Sequence, residues 1–547
     1  MSFRKWSASR WMGIGLFVFI LALELSAGIY FSYVLGYMHT DALSRVANAF
    51  YVLYSRDPHL GAIGFIWNPL PSLLEMVILV LYPIFPALAS YGLAAVILSA
   101  TFAALTAVLL YRAGVRTGLS SRMSLLLALL YALNPFVLLF GANGLSDSLY
   151  IYFIMMTVIE FALWLKDRMT ASLIVSGLAL AMAFWTRYEA VPLGVAMAVG
   201  VVLAILFLQR NLGRRELAWR EKLHKVEATW LLLLLPVVFS GLLWIFFNFL
   251  IMGNALYFLN SEYSNTAQSA ELLNDDKFVE IFSSPLIALK FIASKTIWYS
   301  VPLFAILFIR LLSGRLFRWG TLIILLLFLS VPGLQFLLMM KQSSYGWFRY
   351  FMYVFPITVA WLPYELSQLQ GRWRRAAFGL VSVSLLLTAG LLSYALTRPD
   401  IAPDENSFLT RTGNVNYVRQ ESDRKIAVWL DQHLPKSTIM TDSASAYTMI
   451  VYSQYPKRFL ITSDYSFNKA LSYPQDNHVD YILVPKIMSG MPLSKINMVY
   501  PNLYEHGAPW VQLEREFNGE WRLYKVLPKS LTTTKGSPLS TEMTTNP

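Results

Sequence analysis

Long apolar runs dominate this sequence. They fall near residues 12–34, 70–86, 90–111, 123–141, 148–165, 171–186, 190–209, 229–252, 291–309, 319–340, 350–367 and 377–397. Most approach the roughly 20 residues that carry a helix across a bilayer. Inside hydrocarbon each backbone N–H and C=O must find its partner within the segment, so runs of this kind have to be helical. The composition agrees: 56% of the residues are hydrophobic and 14% charged, against about 25% charged in a soluble chain. The chain reads as a polytopic α-helical membrane protein, which excludes a cytosolic enzyme or a secreted domain. Arg4, Lys5 and Arg10 precede a run from Trp11 to Val34. That run is too long for a signal peptide and no small-residue cleavage site follows, so it reads as an uncleaved first span. There is no cysteine, which rules out disulfides, thiolate nucleophiles and cysteine metal sites.

Charge sets the threading. If all twelve runs crossed, Arg112, Arg116 and Arg122 would lie on the same side as the first external loop, against the positive-inside rule. The run at 70–86 is short, is bracketed by Pro69, Pro71, Pro83 and Pro86, and contains Glu75. It reads better as an interfacial or re-entrant helix. About eleven spans remain, with the N-terminus cytoplasmic. The inner segments then hold 20 basic residues, among them Lys166, Arg168, Arg210, Arg214, Arg215, Arg310, Arg315, Arg318, Arg372, Arg374 and Arg375. The net charge of +12 is thus a record of topology, and nucleic acid is not an expected partner. With an odd number of spans, the polar C-terminal segment lies outside. Strand-like runs at Thr438–Thr441, Arg458–Thr462 and Tyr481–Val484 alternate with a helical pattern at Asp423–His433, which predicts a small α/β domain. The expected division is a transmembrane domain over 1–397, an extracytoplasmic α/β domain over 398–530, and a disordered Ser/Thr-rich tail over 531–547.

Polar residues at the external ends of spans are the candidates for chemistry, because charge is costly at that depth. The first external loop carries His39, Asp41, Arg45 and His59. A partly desolvated Asp41 would be a better base; equally, it could cap a helix beginning at Ala42. The second external turn contains Asn143, Ser146 and Asp147. Ser146 or Asp147 can cap the next span; alternatively Asn143 and Asp147 offer oxygen ligands that, with Asp41 and His39 or His59, could hold a hard divalent cation. The third turn places Arg187 and Glu189 near the hydrocarbon edge, as a local ion pair or as part of a site. Lys341, Tyr345 and Arg349 mark the turn before the run at 350–367. They can bind phosphate, Arg349 by a bidentate fork, or form an aromatic belt with snorkelling cations. Glu24 and Glu160 lie within spans. No Ser/His/Asp order, Walker loop or Gly-rich dinucleotide loop is visible.

With an Asp just after span one, a proline-flanked interfacial helix before span two and a second acid at the start of span four, the layout resembles the GT-C superfamily of membrane glycosyltransferases. It is similar to the branch of protein O-mannosyltransferases and lipid A aminoarabinose transferases. The stretches that carry the likeness are His39–Arg45, Trp67–Pro71, Asn134-Pro135 with Gly141–Ser148, and Thr186–Ala190. The resemblance implies a GT-C-like bundle that transfers a sugar from a polyprenyl-phosphate donor to a lipid, glycan or protein acceptor arriving from outside a plasma membrane. It implies Asp41 as general base and Asp147 as the second acidic position, with Arg45, His59, Asn143, Arg187, Glu189, Lys341, Tyr345 and Arg349 around the substrates. Where many relatives have a second acid, this chain has Ala42 after Asp41. A divalent cation (Mg or Mn) held by Asp41, Asp147 and His39 is the cofactor expectation. No Trp-Trp-Asp signature of oligosaccharyltransferases is present, so transfer of a whole glycan to Asn is not expected. A transporter or flippase of a lipid-linked sugar is the alternative from another class. Against it stand the absence of internal repeats and the gathering of polar residues at one face. A non-catalytic assembly protein is the third reading.

Overall fold

The computed structural model describes residues 8–207, 218–410, 414–487 and 494–529. The expected tail over 531–547, and Arg4, Lys5, Arg210, Arg214 and Arg215 among the basic residues, lie outside the described residues. The chain divides into two compact units: Met1–Ala49 with Ile63–Val418, and Phe50–Ala62 with Arg419–Pro547. The boundary therefore falls about twenty residues later than the expected 397/398, and a piece of the first loop goes with the second unit.

The first unit is helical. Six of its helices are long and apolar enough to cross a membrane: Ser9–Val34, Leu93–Arg116, Asp147–Asp167, Trp219–Met252, Trp319–Met340 and Gly371–Leu396. Two bent pairs bring the number to eight. Ser121–Ala132 meets Pro135–Ala142 at 70°, and Pro285–Tyr299 meets Val301–Leu312 at 79°. The first bend has a local cause: Pro135 has no N–H to donate and disfavours helix in Asn134, whose side chain instead caps the new segment at Phe136 N, 3.0 Å away. Three further expected spans correspond to Thr170–Thr186, Ala190–Leu206 and Val354–Ser367, of 17, 17 and 14 residues. Length alone supports up to eight spans, and the count of eleven rests on charge asymmetry. The run at 70–86 is a ten-residue helix, Leu70–Leu79, followed by turns, in line with a segment too short to cross.

Helices meet through small residues and aliphatic layers. Leu16 and Ile20 of the first span pack with Ala104, Ala107, Val108 and Tyr111 of the next and with Ala128 and Ala132. Gly177 sits where a Cβ would come within 2.6 Å of the Leu233 carbonyl oxygen, so the two helices touch backbone to backbone. By contrast, Phe239, Leu242 and Phe246 on the Trp219–Met252 helix are more than half exposed, as a lipid-facing surface requires.

The second unit is the expected α/β domain, with a five-stranded sheet. Strands β1 (Ile439–Met440), β2 (Phe459–Leu460) and β3 (Tyr481–Pro485) are parallel; β4 (Val511–Phe517) and β5 (Trp521–Val526) are antiparallel; the order is β2-β1-β3-β5-β4. Met440, Leu460, Ile482 and Val484 build its core with Phe467, Leu471 and Tyr524. The β4–β5 hairpin was not anticipated. Its signal is Asn518-Gly519, both at positive φ (51° and 68°), the dipeptide that tight hairpin turns select.

Candidate active site

The first cluster forms where the chain leaves span one. Helix Thr40–Tyr54 starts there, and Asp41 lies in its first turn. Its carboxylate does not cap the helix. Asp41 Oδ2 accepts from Arg349 Nη2 at 2.6 Å, and His39 Nε2 lies 3.4 Å from Arg349 Nη1. Arg349 sits in the turn Phe348–Phe351, 2% exposed, with its guanidinium 4.5 Å from the centre of the Trp347 ring. Tyr345 stacks in turn on Trp347, ring centroids 5.0 Å apart. The rings thus pack around the arginine.

This pairing sets the charge state of Asp41. Burial does push its pKa up, as the sequence suggested. Arg349, then His39 and Arg45, outweigh burial and hold the carboxyl down at about 2. In this state Asp41 is a firmly ionised ion-pair partner and a weak base. His39 is pushed below the ordinary imidazole range by burial and by Arg349. Arg349 is held well above its ordinary range; burial opposes that and Asp41 dominates it.

A second cluster surrounds Asp147, the first residue of helix Asp147–Asp167 and fully buried. Asp147 Oδ1 accepts from the Tyr353 hydroxyl at 2.5 Å and pairs with Arg187 Nη1 at 3.6 Å. Its Oδ2 has no hydrogen-bond partner. Arg187 also grips Glu189 Oε1 through Nη2 and Nε at 2.7 and 3.1 Å. Arg45 is buried over the Trp67 ring at 4.7 Å and donates to the Asn68 carbonyl at 3.3 Å. Burial and the like charge of Arg187 bring it down to about 10, against Glu75 and Asp41.

Several expected members stand apart. Asn143 Oδ1 accepts from Leu145 N at 3.0 Å, so it shapes the turn that delivers Asp147. His59 belongs to the second unit, where its ring lies tilted against Tyr465, centroids 4.3 Å apart. Lys341 lies exposed at the end of helix Trp319–Met340. Sequence reasoning did not select Tyr353, which binds Asp147, or Glu405, which is buried with both oxygens unpartnered. Nothing local marks either residue; only the packing does. Among the described residues no group of three or more His, Cys, Asp or Glu side chains is placed to hold a metal ion. His39, Asp41 and Asp147 do not assemble into such a donor set, and Asp41 Oδ2 is engaged by Arg349.

The stretch that holds Asp147, Arg187 and Glu189 has a counterpart among known families. Residues 75–251 match the family model of dolichyl-phosphate-mannose-protein mannosyltransferases. That match covers about a third of the chain and supports the likeness to GT-C membrane glycosyltransferases. It takes in Glu75, Asn143, Asp147, Arg187 and Glu189, and leaves out Asp41 and Arg349. No curated protein sequence matches the chain. Among solved structures, the crystal structure of ArnT from Cupriavidus metallidurans in the apo state is similar, with a TM-score of 0.48 and 14% identity, covering 96% of this chain and 99% of that one.

Proposed function

We propose that this protein is a membrane glycosyltransferase that moves a sugar from a polyprenyl-phosphate donor to an acceptor hydroxyl on the extracytoplasmic side, by one inverting displacement with Asp41 as general base. The observation that carries the reading is the pairing of Asp41, whose side chain is 33% exposed, with the buried Arg349. A cation that is preset beside a carboxylate is what a sugar phosphate needs. A phosphodiester that takes over the Arg349 fork leaves Asp41 without its principal counter-charge. The phosphodiester's own negative charge and desolvation then raise the proton affinity of Asp41 against His39 and Arg45, and it accepts the acceptor's hydroxyl proton. The acceptor oxygen attacks the anomeric carbon, the bond to the phosphate oxygen breaks, and the electron pair leaves with the phosphate. Arg349 meets the charge that develops there. Asp147, fixed by Tyr353 and Arg187, has Oδ2 open to a sugar or acceptor hydroxyl. A transmembrane bundle of eleven spans, N-terminus cytoplasmic and residues 419–529 outside, in a plasma membrane, belongs to the same proposal.

The test uses purified protein with a polyprenyl-phosphate sugar in vesicles. Release of polyprenyl phosphate only when an acceptor is added is the expected result. Movement of the lipid between leaflets without bond cleavage would replace this reading with a transporter. Protease cleavage within 112–122 from the outer side would overturn the topology.

A further inference from the structure

The stretch that follows the last span belongs to the first unit, and it is fastened to the site. Lys295 Nζ donates to the Ile401 carbonyl at 2.9 Å, and Asn406 Nδ2 to the Leu396 carbonyl at 2.8 Å. The Tyr37 hydroxyl meets Ser407 Oγ at 2.8 Å. The Phe408 ring lies parallel to His39, centroids 6.4 Å apart, and edge-on to Tyr37 at 5.0 Å. His39 is itself against Arg349 and Asp41. Three residues before that ring, in the short helix Pro403–Asn406, stands Glu405.

Glu405 is 2% exposed and neither carboxyl oxygen has a hydrogen-bond partner. An ionised carboxylate in that setting is expensive, and a neutral acid is the form that persists. Its electrostatic neighbours come from four elements: Arg349 from the turn Phe348–Phe351, Asp147 from its helix, Lys295 and Tyr299 from the Pro285–Tyr299 segment, and the adjacent Asp404. Burial first, then Asp404, push its pKa up to about 8, against Arg349. At neutral pH it carries a proton. The displacement described above lacks a source of one: Asp41 is ionised and can only accept, and Arg349 does not release its protons. Yet the leaving phosphate gains a negative charge when its bond to the sugar breaks.

We propose that Glu405 is the acid partner of Asp41, donating its proton to the phosphate oxygen that leaves the sugar. This rests on the glycosyltransferase reading. The balance closes as follows. The acceptor hydroxyl proton passes to Asp41 as the new C–O bond forms. The old C–O bond breaks with its electron pair on phosphate oxygen, and the Glu405 proton joins that oxygen. Protonated Asp41 and ionised Glu405 are restored by proton exchange with water after product leaves.

Sugar transfer by the parental protein is measured first, across pH 6 to about 10 and at saturating substrates; failure there ends the reading of the whole site. The acid form is the active one, so parental kcat should fall as pH rises through about 8. Glu405→Gln keeps shape and hydrogen bonding but has no proton to transfer. It should lower kcat about 10²-fold, within the range of general acid catalysis, with donor KM changed little and the alkaline fall absent. Parental kcat with the parental alkaline fall in that variant would overturn the role of Glu405 alone. Should the Gln variant not fold, Glu405→Asp decides. A lowered kcat with a displaced alkaline fall supports the proposal, and an undisplaced fall overturns it.

Discussion

Two buried charge clusters within the helical unit look alike in composition and differ in use. In one, Glu365 is completely buried and held by Arg310 through Nη2 and Nε at 2.6 and 3.0 Å, and by Arg315 at 2.9 Å. Arg310 also donates to Thr321 Oγ1 at 3.0 Å. One carboxylate is surrounded by cations and tied to three helices. In the other, Asp41, Asp147 and Glu405 face Arg349 and Arg187, yet Asp147 Oδ2, both Glu405 oxygens and Arg349 Nε lack hydrogen-bond partners. Buried polar atoms are normally satisfied. In the first cluster Glu365 Oε1 and Arg315 Nη2 make no hydrogen bond either, but they face each other as an ion pair at 2.9 Å, and the cluster fastens helices. The second leaves hydrogen-bonding capacity open, as a site awaiting a polar ligand does. Arg310 and Arg315, counted from sequence as topology markers, also hold a buried carboxylate.

The sharpest break between the clusters is Asp41→Asn. It should lower sugar transfer about 10²- to 10⁴-fold, the scale of general base catalysis, while the thermal unfolding midpoint stays within a few degrees. Parental turnover in that variant would remove Asp41 from the chemistry. Glu365→Ala should do the reverse. It leaves the buried Arg310 and the partly exposed Arg315 uncompensated and should cost about 3–5 kcal/mol, read as a fall in unfolding midpoint, with turnover per folded molecule kept. Loss of turnover without loss of stability would show that the two clusters are not functionally distinct.

Arg349→Lys tests the fork between them. A lysine is a point charge and does not reproduce the bidentate contact. Donor KM should rise about tenfold or more, near 1.4 kcal/mol per decade, and binding assays with labelled polyprenyl phosphate would show it. The same variant should relax Asp41. Its carboxyl, now at about 2, should titrate at higher pH, and the acid limb of kcat/KM for free enzyme should move up, not down. The smallest effect belongs to the second unit. Gly519 holds φ at 68° with open space where a Cβ would be, so Gly519→Ala should destabilise the second unit by about 1 kcal/mol through backbone strain alone. Transfer activity of the folded protein is the control.

Much of the fold was legible because membrane helices obey a strong local rule: backbone satisfaction plus apolar length. The runs near 90–111, 148–165, 229–252 and 319–340 needed no tertiary information, whereas the bend at Asn134-Pro135, inside the run read as 123–141, was not anticipated. The α/β domain was legible in its parallel half, where short β-rich runs alternate with helix. Its hairpin was missed although Asn518-Gly519 is a strong local signal. In the candidate site, Asp41, Asp147, Arg187, Glu189 and Arg349 were legible as charged residues at span ends. Their partners were not, since Asp41 and Arg349 are 308 positions apart and no period or motif links them.

The sequence by itself determined that this chain spans a membrane as a helical bundle, because apolar length and charge asymmetry are properties of segments. Only the tertiary structure decided that Asp41 is an ion-pair partner of Arg349. It also decided that Arg310 and Arg315 are internal, and that Glu405 comes to rest unpartnered in the field of Arg349. Each of those outcomes depends on which charges lie within a few ångströms of one another, and that distance is set by packing between helices that lie far apart in the chain.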